Sequence, residues 1–98
     1  MREIFKSATF DLWLAGLKDA RARARIAIRI DRLAHGNAGD GKSVGAGISE
    51  LRIDCGPGYR VYFMQRGQAV VVLLNGGDKR SQASDIRRAM EIGQEWKE

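Results

Sequence analysis

The strongest constraint on this chain of 98 residues is the alternation in residues 48–79, ISELRIDCGPGYRVYFMQRGQAVVVLLNGGDK. Leu51, Ile53 and Cys55 alternate with Glu50, Arg52 and Asp54. Tyr59, Val61 and Phe63 then alternate with Arg60, Tyr62 and Met64. A period of two with one polar side is the pattern of half-buried strands. The run reads as three consecutive antiparallel strands. They are joined at Gly56-Pro57-Gly58 and again around Gly67, and the third ends at Gly76-Gly77. Turn length can be judged by the faces it matches. A loop of two or four residues sets Arg52 against Val61 and mixes polar with apolar. A loop of three, Gly56 to Gly58, pairs Arg52 with Tyr62 and Asp54 with Arg60. Gly58 then supplies the left-handed residue such a loop needs. Two arginines, two carboxylates and a tyrosine would share one exposed side of the sheet, which makes it the candidate functional face.

The remaining segments supply the covering. Residues 2–5 form a short possible strand. Ser7 or Thr9 can cap a helix in which Phe10, Trp13, Leu14 and Leu17 share one side, a stripe that ordinarily belongs to a core. Asp19 or a neighbour opens a second helix with Ala22, Ile26, Ile30 and Leu33 on its apolar side. Arg21, Arg25, Arg29 and Arg32 repeat at the same spacing. Such a basic stripe is either a solvated face or a dock for phosphates or an acidic partner. The helix should end near His35-Gly36-Asn37, with glycine past the last turn and His35 as a cationic cap. The two helices would lie across one face of the sheet.

The glycine-rich stretch 37–47, NAGDGKSVGAG, completes the letters of a phosphate-binding loop between Gly36 and Ser43. That loop follows a strand and opens a helix, whereas this stretch follows a helix and precedes a strand. A mobile loop carrying Lys42 near the functional face is the expectation. Residues 69–75 are nearly all apolar and suit a central strand covered on both sides. Ser81 or Ser84 can cap a last helix with Ile86, Ala89, Met90 and Gly93 inward. Gly93 weakens that helix, so loose docking is expected.

Net charge is +5, which favours an anionic partner, either nucleic acid or an acidic protein segment. One histidine and one cysteine leave no set for zinc, and Cys55 reads as a buried, inert thiol. No cofactor is expected. No stretch is long and apolar enough for a membrane helix, and the start carries no signal-peptide pattern, so a cytoplasmic setting is expected.

The residues left for chemistry are Glu50, Arg52, Asp54, Arg60, Tyr62, Asp78 and Lys79, around one end of the sheet. Paired guanidiniums can hold a phosphodiester and stabilise the extra charge of its transition state. RNA brings its own nucleophile, the 2′-OH, so only proton transfer has to be supplied. Lys79 among the arginines, and Glu50 or Asp78 as base, are the candidates. Tyr62, Lys42 and Arg80 would contact RNA, with Arg21, Arg25 and Arg29 as further binding contacts. The plain alternative is that Asp54–Arg60 and Glu50–Arg52 are ordinary surface pairs.

The blocks ISELRI, GPGYRVYF, LLNGGDK with the following Gln82, and DIRRA resemble the HigB-like branch of the RelE/ParE toxin superfamily, the addiction module killer proteins. The resemblance spans nearly the whole chain. It implies an α+β fold in one domain, residues 1–98, with a small antiparallel sheet in β-α-α-β-β-β order. Two N-terminal helices would cover one face, and a C-terminal helix would follow. It implies a toxin neutralised by a small antitoxin, commonly a helix-turn-helix protein, with operator DNA contacted only through that antitoxin. RelE-like members cleave mRNA, usually on the ribosome, whereas ParE-like members poison DNA gyrase and cleave nothing. Arg60 matches the most consistent active-site arginine of the family, and Arg52 a basic position on the neighbouring strand. Lys79 falls near a position where many nucleases of the family carry histidine or tyrosine, and this chain has neither.

Overall fold

The computed structural model describes residues 1–36 and 41–96. The elements run β1 (Glu3–Lys6), α1 (Ala8–Gly16), α2 (Ala20–Ala34), β2 (Lys42–Gly45), β3 (Ile48–Ile53), β4 (Tyr59–Arg66) and β5 (Val70–Gly77). A single 3-10 turn, Lys79–Ser81, leads into α3 (Gln82–Glu95). One five-stranded sheet has the order β1-β5-β4-β3-β2. The fold is α+β, as the resemblance implies, with two differences. β1 runs parallel to β5, so the sheet is mixed. The expected loop before β3 contains a strand, β2, which pairs antiparallel with β3. Alternation could not reveal it, because four residues with two glycines at or beside its end carry no period. The part of the phosphate-loop lettering at residues 37–40 lies outside the described residues.

Helix starts follow the local chemistry. The Ser7 hydroxyl accepts from the Phe10 amide, and the Asp19 carboxylate accepts from the Ala22 amide. α2 ends at His35, followed by Gly36 at φ +91°, as the glycine rule for helix ends requires.

The sheet is buried on both sides. Phe10, Ile26, Leu33, Leu51, Ile53, Val61, Phe63, Val71 and Leu73 form one core under α1 and α2. Ile48, Tyr62, Met64, Val72, Leu74, Ala89 and Ile92 form a second core under α3. The expectation of a loosely docked last helix is therefore not met. A Cβ on Gly93 would lie 3.3 Å from the Met64 sulfur and 3.4 Å from Ile48 Cδ1. The glycine lets α3 approach the sheet closely, and the packing of Ala89 and Ile92 outweighs its poor helix propensity.

The β3–β4 connection corrects the turn. Arg52 stands opposite Arg60, and Glu50 opposite Tyr62. The connection thus spans five residues, 54–58, rather than three. Neither the Asp54–Arg60 pair nor the Arg52–Tyr62 pair forms. Gly58 N–H donates to the Cys55 carbonyl at 3.1 Å, and both Gly56 (φ +56°) and Gly58 (φ +81°) are left-handed. Three and five have the same parity, so the even-numbered residues still share a face. The pattern determines the face and leaves the register free to slip by two.

Candidate functional site

The strand registers assemble the site in two rungs on the α3 side of the sheet. Lys42, Glu50, Tyr62 and Asn75 stand side by side across β2, β3, β4 and β5. The next rung is Arg52, Arg60 and Gly77. A register shift between Tyr62 and Phe63 leaves Leu74 as an extra residue of β5. As a result Leu74 joins the second core while Asn75 also turns toward α3, its amide donating to the Asp85 carbonyl at 3.0 Å.

The face is not the open polar surface that alternation suggests. Glu50 is 1% exposed, Arg60 7% and Tyr62 0%. Glu50 is the only buried carboxylate among the described residues. Its Oε1 accepts from Arg52 Nε at 2.9 Å. Its Oε2 accepts from Gln82 Nε2 at 3.3 Å and lies 3.7 Å from Arg60 Nε. Glu50–Arg52 is thus no ordinary surface pair, because one partner is fully covered. Arg60 Nε and Nη1, the Tyr62 hydroxyl and Asn75 Oδ1 are buried with no hydrogen-bond partner among the described residues. Burial pushes the Tyr62 hydroxyl up to about 12, and the charges of Glu50 and Asp85 add to the effect. Tyr62 therefore stays protonated across the neutral range.

The two glycines before Asp78 let helices reach the sheet from opposite sides. A Cβ on Gly76 would fall 2.4 Å from the Trp13 ring of α1. One on Gly77 would fall 1.9 Å from Asp85 Oδ2 of α3. Asp85 Oδ2 also accepts from the Ser81 hydroxyl at 2.5 Å. Gly77 therefore seats the first turn of α3 beside Arg60.

Asp78, Lys79 and Arg80 follow at the same end of the sheet. Lys79 lies against the β3–β4 connection, since a Cβ on Gly58 would sit 3.8 Å from Lys79 Cβ. Asp78 caps the 3-10 turn, accepting from the Arg80 amide at 2.9 Å and pairing with its guanidinium at 3.3 Å. Hydrogen bonding from the Arg80 backbone holds its carboxyl below the usual range. Its carboxylate thus serves as the cap of this turn. A cleft of about 320 Å3 opens between Arg52, Asp54, Gly58, Tyr59 and Arg60.

The arginines of α2 do not join this cluster. Arg25 donates to the Asp54 carbonyl at 3.0 Å and Arg29 to the Arg52 carbonyl at 2.6 Å. β2 pairs with β3 only as far as Glu50, so these carbonyls lie on strand edge beyond it. The two guanidiniums satisfy backbone that no strand covers among the described residues, which is a structural task. Arg21 is exposed.

Gln82, Asp85 and Asn75 belong to the cluster but were not assigned to it from sequence. The one available signal was an asparagine inside the apolar run VVVLLN, because a buried amide must find a partner. Gln82 and Asp85 carry no such signal, being ordinary polar residues in a helix.

Three comparisons bear on this arrangement. A solved structure of a mutant form of the E. coli toxin RelE in the free state matches with a TM-score of 0.71 and 14% identity, covering 92% of this chain and 94% of that one. At that identity the likeness shows a shared fold. A protein of Haemophilus influenzae (strain ATCC 51907 / DSM 11121 / KW20 / Rd), described as "Uncharacterized protein", is 53% identical over 93 residues, 95% of this chain and 94% of that protein. Residues 13–97, from the tryptophan that packs on Gly76 to the end of the last helix, match the family model "Phage derived protein Gp49-like (DUF891)". The chain therefore belongs to the Gp49-like family of phage-derived proteins.

Proposed function

We propose that this protein is the toxin of a type II toxin–antitoxin pair, of the HigB-like kind, and that it cleaves mRNA in the cytoplasm, in association with the ribosome. Its partner would be a small antitoxin, which alone would contact operator DNA. The observation that carries the reading is the placement of Arg52 and Arg60 directly opposite each other on β3 and β4. Two guanidiniums on neighbouring strands can grip one phosphodiester and neutralise the charge that develops as a 2′-OH attacks phosphorus. The fold supports it, being shared with a protein named as a toxin. In this scheme Arg52, half exposed, meets the phosphate first and Arg60 supports it from below. Lys79, next to Gly58 of the β3–β4 connection, is the candidate proton donor to the leaving 5′ oxygen.

Expression without a partner should arrest growth, with new cuts within translated codons found by primer extension. Arg60→Ala should lower the cleavage rate about 10²–10³-fold, by analogy with deleting one transition-state donor. Arg60→Lys should not restore it fully, because an ammonium cannot form the bidentate fork.

One observation favours a second reading, a non-enzymatic gyrase poison. Glu50 partly neutralises both guanidiniums, Tyr62 is covered by α3, and Asp78 is committed to capping, which leaves few open proton carriers. Intact mRNA with linearised DNA and an SOS response after induction would select it.

A further inference from the structure

The candidate site already contains an anion. Glu50 is 99% covered, and its two oxygens engage Arg52 Nε at 2.9 Å and Arg60 Nε at 3.7 Å. A carboxylate offers two acceptor oxygens in one plane, the same acceptor pair that a phosphate presents to guanidinium groups. Arg60 is left with Nε and Nη1 buried and without hydrogen-bond partners among the described residues, so its donors are not used up by Glu50. Arg52 is different. Its side chain is half exposed, and it spends its Nε–H on Glu50 while its outer end faces solvent. Gln82, on the first turn of α3, donates to the second Glu50 oxygen and holds it in place. Lys42, directly opposite Glu50 on β2, adds a third cation on the same side.

We infer that Glu50 is an internal competitor for the anion site: its carboxylate occupies Arg52 and Arg60 in the free protein, and a phosphate ligand binds by taking Arg52 from it. This rests on reading Arg52 and Arg60 as a phosphate site and adds a regulator to it. An incoming phosphate meets a like charge beside its own position, which weakens binding. A partner that moved the first turn of α3 would withdraw Gln82 and change how firmly Glu50 holds the arginines. The surface would thus be tuned from within the fold, without any covalent change.

The test uses inorganic phosphate and a short 2′-O-methylated RNA that cannot be cleaved. Glu50→Gln keeps the shape of the side chain and removes its charge. It should bind phosphate roughly tenfold tighter or more than wild type, as expected when a like charge beside a bound anion is removed. Gln82→Ala should shift affinity in the same direction by a smaller factor. In the wild type, titrating phosphate should move the Arg52 Nε–H resonance as the contact with Glu50 is exchanged. Equal or weaker phosphate binding by folded Glu50→Gln overturns the inference and makes Glu50 a positioning residue for the arginines. If that variant does not fold, the wild-type resonance decides, and an Arg52 signal that stays fixed across the titration overturns it. Tighter phosphate binding by Glu50→Gln with no mRNA cleavage by any variant would leave the inference standing and remove the nuclease reading. Cleavage by the wild type with unchanged phosphate affinity in Glu50→Gln would do the reverse.

Discussion

The two faces of β4 are buried to nearly the same degree and built from different chemistry. On one side Val61 and Phe63 meet Phe10, Ile26 and Leu33, and that cluster is wholly apolar. On the other side Met64 sits among Val72, Leu74 and Ile92, but Arg60 and Tyr62 are buried beside it with Glu50 and Asn75. Several polar atoms of this second side have no hydrogen-bond partner among the described residues. Each such group costs about 1–3 kcal/mol. The difference teaches that α1 and α2 close a face whose contents only stabilise. α3 closes a face that gives up stability to keep charge and donors in place, which is how functional sites commonly depart from core rules. The first face should behave as a core under mutation, and the second as a site.

The largest effect belongs to the apolar face. Phe10→Ala should cost about 3–5 kcal/mol, since it empties a fully buried aromatic position. Denaturant melts measure this, and the folded fraction should retain its affinity for phosphate. Loss of both together would break the separation of the faces.

Arg60 comes next and sharpens the contrast most. Truncation to alanine removes one of two cations from a buried carboxylate and should cost about 3 kcal/mol. Arg60→Met fills the volume without a charge. If the cluster is held at a cost, this variant should be clearly more stable than Arg60→Ala while binding phosphate no better. Equal instability of the two variants would show that the ion pair itself stabilises the fold.

Gly77→Ala tests how α3 is seated. The added methyl would meet Asp85 Oδ2 at 1.9 Å, so the first turn of α3 must shift, at about 1–3 kcal/mol. Hydrogen exchange should speed up at the start of α3 and stay unchanged in α1 and β1. Acceleration spread evenly over both faces would mean that they unfold as one unit.

Tyr62→Phe should have the smallest effect near neutral pH. The hydroxyl is buried without a partner among the described residues, so removing it leaves nothing further there unsatisfied. The difference lies at high pH. The folded state holds this hydroxyl protonated up to about 12, against 10.0 for the ordinary group. Wild-type stability is then intact below about pH 10 and falls as pH rises toward 12. The phenylalanine variant should lack that part of the decline. An identical alkaline profile would mean that the hydroxyl is more open to water than the structure places it.

Much of this was legible in the chain. Period-two patterning found β3 and β4 and sorted their residues correctly onto two faces, because side chains alternate along an unbroken strand. The apolar run found β5, where the register shift sets both Leu74 and Asn75 toward α3. Capping residues and helical stripes found all three helices. The register escaped, because a turn of three and a turn of five satisfy the same alternation. β2 escaped because Lys42–Gly45 carries no period of its own and is held by its ladder with β3 and by Val44 against the second core. Arg60 was expected to be exposed, because a polar residue on an alternating strand ordinarily faces water. The packing of α3 overrules that rule here.

What the sequence determined by itself is the three helices and the three strands of residues 48–77, the side of the sheet on which the residues of β3 and β4 fall, and the charged residues available there. Those depend on neighbours one to four positions away, where backbone geometry sets the period. Only the tertiary structure decided that Glu50, Arg52, Arg60 and Gln82 meet as one cluster, and that it lies beneath a helix. That outcome depends on how close α3 can come. The approach is set by the space left at Gly77 and Gly93 and by apolar burial at Ala89 and Ile92. No local pattern encodes the distance between two elements that meet only after the chain has folded.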